Sequence, residues 1–225
     1  MNTFDFCPRG VIFDMDGLLV DSEPVWAIAE GAMLEARGRA MDHEIHRPLI
    51  GMRMREFLAG VRTGYRLSDT VDELAADVTA RMIALIPHKV IPRPGAVELL
   101  AYLQTRRIPC AIASSSPMPI IDAVVTSQRW DTYFETHVCG DDVAHGKPAP
   151  DIYLEAARRL GLAAAECLAL EDSPNGSRAA VAAGAVTIAI PDLSHTTREA
   201  FTEITPYVFE SLHEVVTVLE TCALG

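Results

Sequence analysis

From residue 94 onward the chain alternates short apolar runs of β type with longer stretches of helical period, and this alternation restricts the possible folds more than any other feature. Strands are expected at 108–113, 136–140, 167–170, 186–190 and 207–209, with an earlier one at 11–13. Helices are expected between them at 96–106, 117–125, 149–160, 175–183 and 212–220, the third closed by Gly161. Strands that alternate with helices form a parallel sheet covered on both faces.

The stretch before residue 94 has a different texture. From Pro24 to about Pro87 every periodic segment reads as helix. The clearest is Val71, Leu74, Ala75, Val78, Met82, Leu85 and Ile86, which share one face at helical spacing. Thr70 with Glu73 forms a capping box that starts this helix, and Pro87 is expected to stop it. Pro92-Arg93-Pro94-Gly95 marks the return. The expected organisation is an α/β core of residues 1–22 and 94–225, with an all-helical cap of residues 23–93 over the end of its sheet.

A chain of 225 residues buries a core without a disulfide or metal staple. Its 19 Lys+Arg against 31 Asp+Glu give a net charge of −12, which argues against nucleic acid or an anionic membrane as partner. The longest apolar stretch, residues 179–190, contains a glycine and falls short of the roughly eighteen residues of a membrane helix. Cys7, Cys110, Cys139, Cys167 and Cys222 lie far apart with no Cys-x-x-Cys pair, which suits a reducing compartment rather than zinc or disulfides. Cys110, Cys139 and Cys167 read as buried small hydrophobes. Asp5, Asp14 and Asp16 speak against a signal peptide. A cytoplasmic protein, monomeric or weakly dimeric, is expected.

Polar residues collect where an open parallel sheet binds ligands, beyond the carboxyl ends of its strands. Asp14 and Asp16 follow the first strand, Ser114-Ser115-Ser116 another and Glu171-Asp172 a third, while Lys147 stands in Gly146-Lys147-Pro148 before a helix. Each alone could be a helix cap or a solvated loop residue; together on one rim they indicate a site. Three or four carboxylates within ~5 Å of each other would repel by several kcal/mol, so they coexist around a cation. Carboxylates without His or Cys partners make a hard oxygen site suited to Mg²⁺, shared with water and a substrate phosphate. Lys147 would offset the charge of nucleophile and phosphate. The Ser114 hydroxyl, with backbone N–H groups near Met15 and Ser115, would hold phosphate oxygens. In extended backbone Asp14 and Asp16 project to one side, so one can attack phosphorus while the other protonates the leaving oxygen and then activates water. Gly17 permits the sharp turn that follows.

These segments, Val11-Ile12-Phe13-Asp14-Met15-Asp16-Gly17 with Asp21-Ser22-Glu23, Ala111-Ile112-Ala113-Ser114, Gly146-Lys147-Pro148 and Leu170-Glu171-Asp172-Ser173, resemble the four motifs of the haloacid dehalogenase superfamily, in its order. The helical insert resembles the subfamily of β-phosphoglucomutase and the sugar-phosphate phosphatases. The resemblance implies a Rossmann-like three-layer core with a helical-bundle cap, Mg²⁺ dependence and an aspartyl-phosphate intermediate. It makes Asp14 the nucleophile and a metal ligand, and Asp16 the general acid/base and a ligand through its backbone carbonyl. Ser114, Ser115 and Lys147 would bind phosphate, and Glu171 and Asp172 would complete the metal site, with Asp172 the surer ligand. The dehalogenases lack a second aspartate at the position of Asp16, so dehalogenation is not expected.

The expected activity is hydrolysis of a small phosphomonoester, a sugar phosphate foremost; the alternatives are a phosphosugar mutase and a nucleoside 5′-monophosphate phosphatase. A family of this kind reads its leaving group with the cap, near Gly51-Met52-Arg53 and the first cap helix. Arg53 could meet a sugar hydroxyl or second phosphate, or lie on the surface. Glu23 and Trp26 face the hinge, with Trp26 read as cap core. His46 and His145 read as loop or packing residues, although His46 could touch substrate, and Met52 and Met54 read as cap packing. Gly140 to Lys147 only mimics a phosphate-binding loop, because the glycine spacing is wrong and Pro148 replaces Ser or Thr.

Overall fold

The computed structural model describes residues 4–49, 52–193 and 196–222. At its centre lies β1 (Gly10–Phe13), buried on both faces as a middle strand of a parallel sheet must be. After it come β2 (Val20–Asp21), the helices α1 (Glu23–Glu35), α2 (His43–His46), α3 (Met54–Tyr65) and α4 (Val71–Lys89), and then β3 (Ile91–Pro92). The chain continues through α5 (Ala96–Thr105), β4 (Cys110–Ser114), α6 (Met118–Gln128), β5 (Thr136–Cys139) and α7 (Asp151–Arg159). It ends with β6 (Cys167–Glu171), α8 (Pro174–Ala182), β7 (Val186–Ala189), β8 (Tyr207–Val208) and α9 (Leu212–Cys222).

The large sheet runs β5-β4-β1-β6-β7-β8, with every neighbouring pair parallel. Strand order reverses at β1, the switch point where such sheets open a crevice for ligands. Alternate residues of β1 supply the two helical layers. Val11 and Phe13 join the cluster that includes Leu99, Ile120 and Val215 of α5, α6 and α9. Ile12 joins Tyr153 and Ala156 of α7 and Ala179 of α8. The fold is the α/β, Rossmann-like three-layer architecture that the alternation implies, with α1–α4 as a helical cap. Buried cap residues such as Met33, Leu58, Val78 and Met82 are continuous with the first of these clusters.

Register sets the site. Phe13 pairs with Ile112 and with Leu170, so Asp14 and Glu171 come level just past the strand pair, with Ser114 one residue further along β4. The Asp14 N–H is held by the Leu170 carbonyl at 3.0 Å.

Three local features differ from expectation. Pro87 does not end α4, which continues to Lys89. A proline this late forfeits a single ladder bond, and the Val90 N–H still reaches the Ile86 carbonyl at 3.1 Å. The capping box at Thr70 and Glu73 is formed. Second, β2 and β3 pair antiparallel, Val20 with Pro92 and Asp21 with Ile91, tying together the two crossings between sheet and cap. Third, Met52 is exposed rather than packed, whereas Met54 does pack against the core. Cys110, Cys139 and Cys167 are buried, and Cys7 is exposed. Among the described residues no helix is long and apolar enough to cross a membrane.

Candidate active site

The Lys147 ammonium is the hub of the site. Its Nζ donates to Asp14 Oδ1 and to Glu171 Oε1, each at 2.5 Å, and lies 5.3 Å from the centre of the Tyr153 ring. The lysine side chain is almost wholly buried. Burial alone would lower its proton affinity, but Asp14 and Glu171 outweigh that and hold it above the ordinary lysine range.

Glu171 is completely buried and fully engaged. Oε1 accepts from Lys147 and from the Tyr153 hydroxyl at 2.7 Å. Oε2 accepts from the Asp172 and Ser173 backbone N–H groups, both at 3.1 Å, and from the Ser173 hydroxyl at 3.0 Å. A carboxylate has about four lone-pair sites, so these five donors saturate it. The start of α8 lies directly against it: a Cβ on Gly176 would stand 1.7 Å from Oε1, so no side chain fits at that position.

Asp14, Glu171 and Asp172 bring one carboxylate oxygen each within 4.8 Å of the others. Burial foremost pushes the Asp14 carboxyl up to about 8; Lys147 opposes this, and Glu171 and Asp16 add to it. Asp172 is driven well above the carboxylate range, again by burial first and then by Asp14 and Glu171. One ammonium thus serves three clustered acids, and all three would ionise together only beside a further cation, so the donor set fits a metal ion. Gly17 makes room for this arrangement. Its φ is +84°, and a Cβ there would lie 2.2 Å from Asp172 Oδ2.

Asp16 stands beside this cluster with a different kind of partner. Oδ1 accepts from the Ser22 hydroxyl at 2.7 Å and from Trp26 Nε1–H at 3.2 Å. Oδ2 accepts from the Ser114 hydroxyl at 3.1 Å and the Ser116 hydroxyl at 2.7 Å. Ser22 precedes α1 yet makes no capping bond to it; its hydroxyl proton goes to Asp16 instead.

The chain has known relatives. Residues 8–184 match the family described as haloacid dehalogenase-like hydrolase. The chain belongs to that family. It is 35% identical over 188 residues, 80% of each chain, to the probable pseudouridine-5′-phosphatase of Drosophila melanogaster. To the phosphorylated carbohydrates phosphatase of Thermotoga maritima it is 33% identical, over 78% of this chain and 82% of the relative. Among solved structures, CbbY from Rhodobacter sphaeroides in complex with phosphate superposes with a TM-score of 0.84 at 28% identity, covering 95% of this chain and 99% of that one.

In this hydrolase the residues expected at the site divide. Asp14, Asp16, Ser114, Lys147, Glu171 and Asp172 converge. Ser115 lines a cavity of about 330 Å³ between cap and core, together with Arg53, Met54, Ile83, Pro117 and Asp141. Arg53 does more than line it: its guanidinium donates across the seam to the Ala144 and Val143 carbonyls at 3.3 and 3.4 Å, beside Gly146. Gly51, at the same turn, lies outside the described residues. Glu23 opens α1, and its charge acts on Glu30. His46 is buried inside the cap, with Nδ1 2.9 Å from the Tyr65 hydroxyl. His145 pairs with Asp151 on the surface.

Two participants were missed or misread in the sequence. Trp26 was expected as cap core, but its indole N–H is on Asp16. An amphipathic ring satisfies both demands, packing its body and directing its polar edge. Ser116, rather than Ser115, is the second serine on Asp16; the turn after β4 returns residues 114 and 116 to the same side.

Proposed function

We propose that this hydrolase is a Mg²⁺-dependent phosphatase that removes phosphate from a small phosphomonoester, a sugar phosphate foremost, through an aspartyl phosphate on Asp14. The observation that carries the reading is the buried cluster of Asp14, Lys147, Glu171 and Asp172 with Asp16 alongside.

Asp14 attacks phosphorus, forming the Oδ–P bond as the bond from phosphorus to the leaving oxygen breaks. Asp16 hands that oxygen its proton. In the second half Asp16 withdraws a proton from water as the water attacks phosphorus, the Asp14–phosphorus bond breaks, and inorganic phosphate is formed. Lys147 favours the ionised form of Asp14 against its burial and offsets the charge of the transferring group. Ser114 and Ser115, with the backbone amides around them, would hold phosphate oxygens. The single proton of the Ser114 hydroxyl is given to Asp16, so that bond must exchange when phosphate arrives. Asp14 and Asp172 would hold Mg²⁺, with the Asp16 carbonyl as a third protein oxygen. The ion would neutralise phosphoryl charge and make phosphorus more electrophilic. Glu171, already saturated, is better read as the anchor of Lys147 and of the loop bearing Asp172 than as a ligand. A cytoplasmic monomer or weak dimer completes the reading; Cys7, Cys110, Cys139 and Cys167 are all free thiols, as a reducing compartment keeps them.

The test is phosphate release with Mg²⁺ from a panel of sugar phosphates and nucleoside monophosphates. Asp14→Asn should lose at least about 10³-fold. Full activity in that variant would overturn the nucleophile assignment, and isomerisation of β-glucose 1-phosphate without phosphate release would favour a mutase.

A further inference from the structure

We propose that Trp26 is a positioning residue for Asp16, and that its indole N–H biases the acid proton toward the other carboxylate oxygen. This rests on the phosphatase reading above and adds to it a residue outside the sheet's rim. The four donors on Asp16 come from two sides. Ser114 and Ser116 lie at the end of β4 and meet Oδ2; Ser22, just before the cap, and Trp26, in its first helix, meet Oδ1. None of the four is charged, so direction rather than attraction is what they supply.

They are not equivalent as donors. A serine hydroxyl donates or accepts by rotating, so a proton added to Oδ2 can be met by Ser114 or Ser116 turning round. An indole nitrogen is a donor only. A proton on the Trp26 side of Oδ1 would point at the indole N–H with no acceptor there, which leaves Oδ1 one site, beside Ser22, against two on Oδ2 beside Ser114 and Ser116. Trp26 therefore favours the transferable proton on Oδ2, the oxygen on the side of Ser114. That is where the leaving oxygen must come to collect it. Ser22 cannot impose this alone, since its hydroxyl can reverse.

Misplacing an acid penalises a leaving group in proportion to its need for a proton. The experiment compares kcat/KM for a nitrophenyl phosphate, whose phenolate departs unprotonated, with that for an alkyl or sugar phosphate. Trp26→Phe preserves the ring in the packing and removes the donor. It should lose about 10- to 100-fold on the alkyl ester and less than about 3-fold on the aryl ester. In an Asp16→Asn background the same substitution should cost the alkyl ester nothing more, because the group it positions is already disabled. Equal losses on both esters, no loss on either, or an undiminished effect in the Asp16→Asn background would overturn the inference and leave the phosphatase reading standing. A wild-type protein that releases phosphate from neither ester would remove that reading, and this one with it.

Discussion

Among the described residues, ionisable side chains are packed together at the end of the sheet and inside the cap, and only the first group keeps a buried charge near neutral pH. In the cap, Glu30, His46 and Tyr65 lie together, with His46 Nε2 3.7 Å from Glu30 Oε2 and Nδ1 2.9 Å from the Tyr65 hydroxyl. Burial, then Glu23, pushes Glu30 up to about 8. Burial also lowers His46 and raises Tyr65. All three are therefore uncharged near neutral pH. At the sheet, Lys147 stays charged among Asp14, Glu171 and Asp172 and one ammonium is set against several acids. Burial extinguishes charge unless something opposite is provided. The cap cluster accepts that outcome, whereas the sheet cluster is built to be completed by a cation.

The comparison breaks most completely at Lys147. Lys147→Met leaves Asp14 and Glu171 buried without their partner, and should cost about 3–5 kcal/mol of stability in urea unfolding. Turnover should fall by about 10²- to 10³-fold. Loss of activity with unchanged stability would mean that the carboxylates do not depend on the ammonium. Next in size, saturating Mg²⁺ should stabilise the wild-type protein by about 2.7 kcal/mol at a hundredfold excess over its Kd. Asp172→Asn should abolish both that gain and turnover, while raising the melting temperature of the metal-free protein by removing a carboxyl whose ionised form burial, Asp14 and Glu171 all oppose. A metal response that survives the substitution would place the ion elsewhere.

The smallest effect on turnover, none, belongs to the cap. Folded Glu30 keeps its proton to about 8, whereas the ordinary value is 4.5. Between those limits the unfolded chain binds fewer protons than the folded one. Stability therefore falls as pH rises, by at most about 1.4 kcal/mol per pH unit, and falls no further above pH 8. Glu30→Gln should flatten this slope, so that its advantage in thermal unfolding is larger at pH 8 than at pH 5. An equal shift at both pH values would show that Glu30 is not neutral in the folded protein.

The strand-borne members of the sheet cluster were legible beforehand because each occupies a position with one structural meaning, the first polar residue at the carboxyl end of a buried strand. Asp14, Ser114 and Glu171 needed only the strand ends to be found. What the spacing could not carry was direction. That Glu171 is saturated depends on Tyr153 arriving from α7 and Ser173 from the next turn. That Trp26 serves Asp16 depends on a side-chain rotation that leaves the packing pattern of α1 unchanged. Pro87 was read as a stop because its chemistry is that of a breaker; one turn from a helix end, breaking costs a single bond. The strands β2 and β3 have two residues each, too few for any alternation to register.

That small ribbon has an evolutionary reading. It clasps the chain where it leaves the sheet and where it comes back, Val20 against Pro92 and Asp21 against Ile91. Whatever is spliced between those two points begins and finishes in the same place, so the intervening helices can be lengthened, shortened or traded for others without shifting any strand of the large sheet. Apart from Trp26, which ties α1 to Asp16, the reaction machinery and the choice of what to dephosphorylate can thus diverge at separate rates, as a tool holder outlasts its bits.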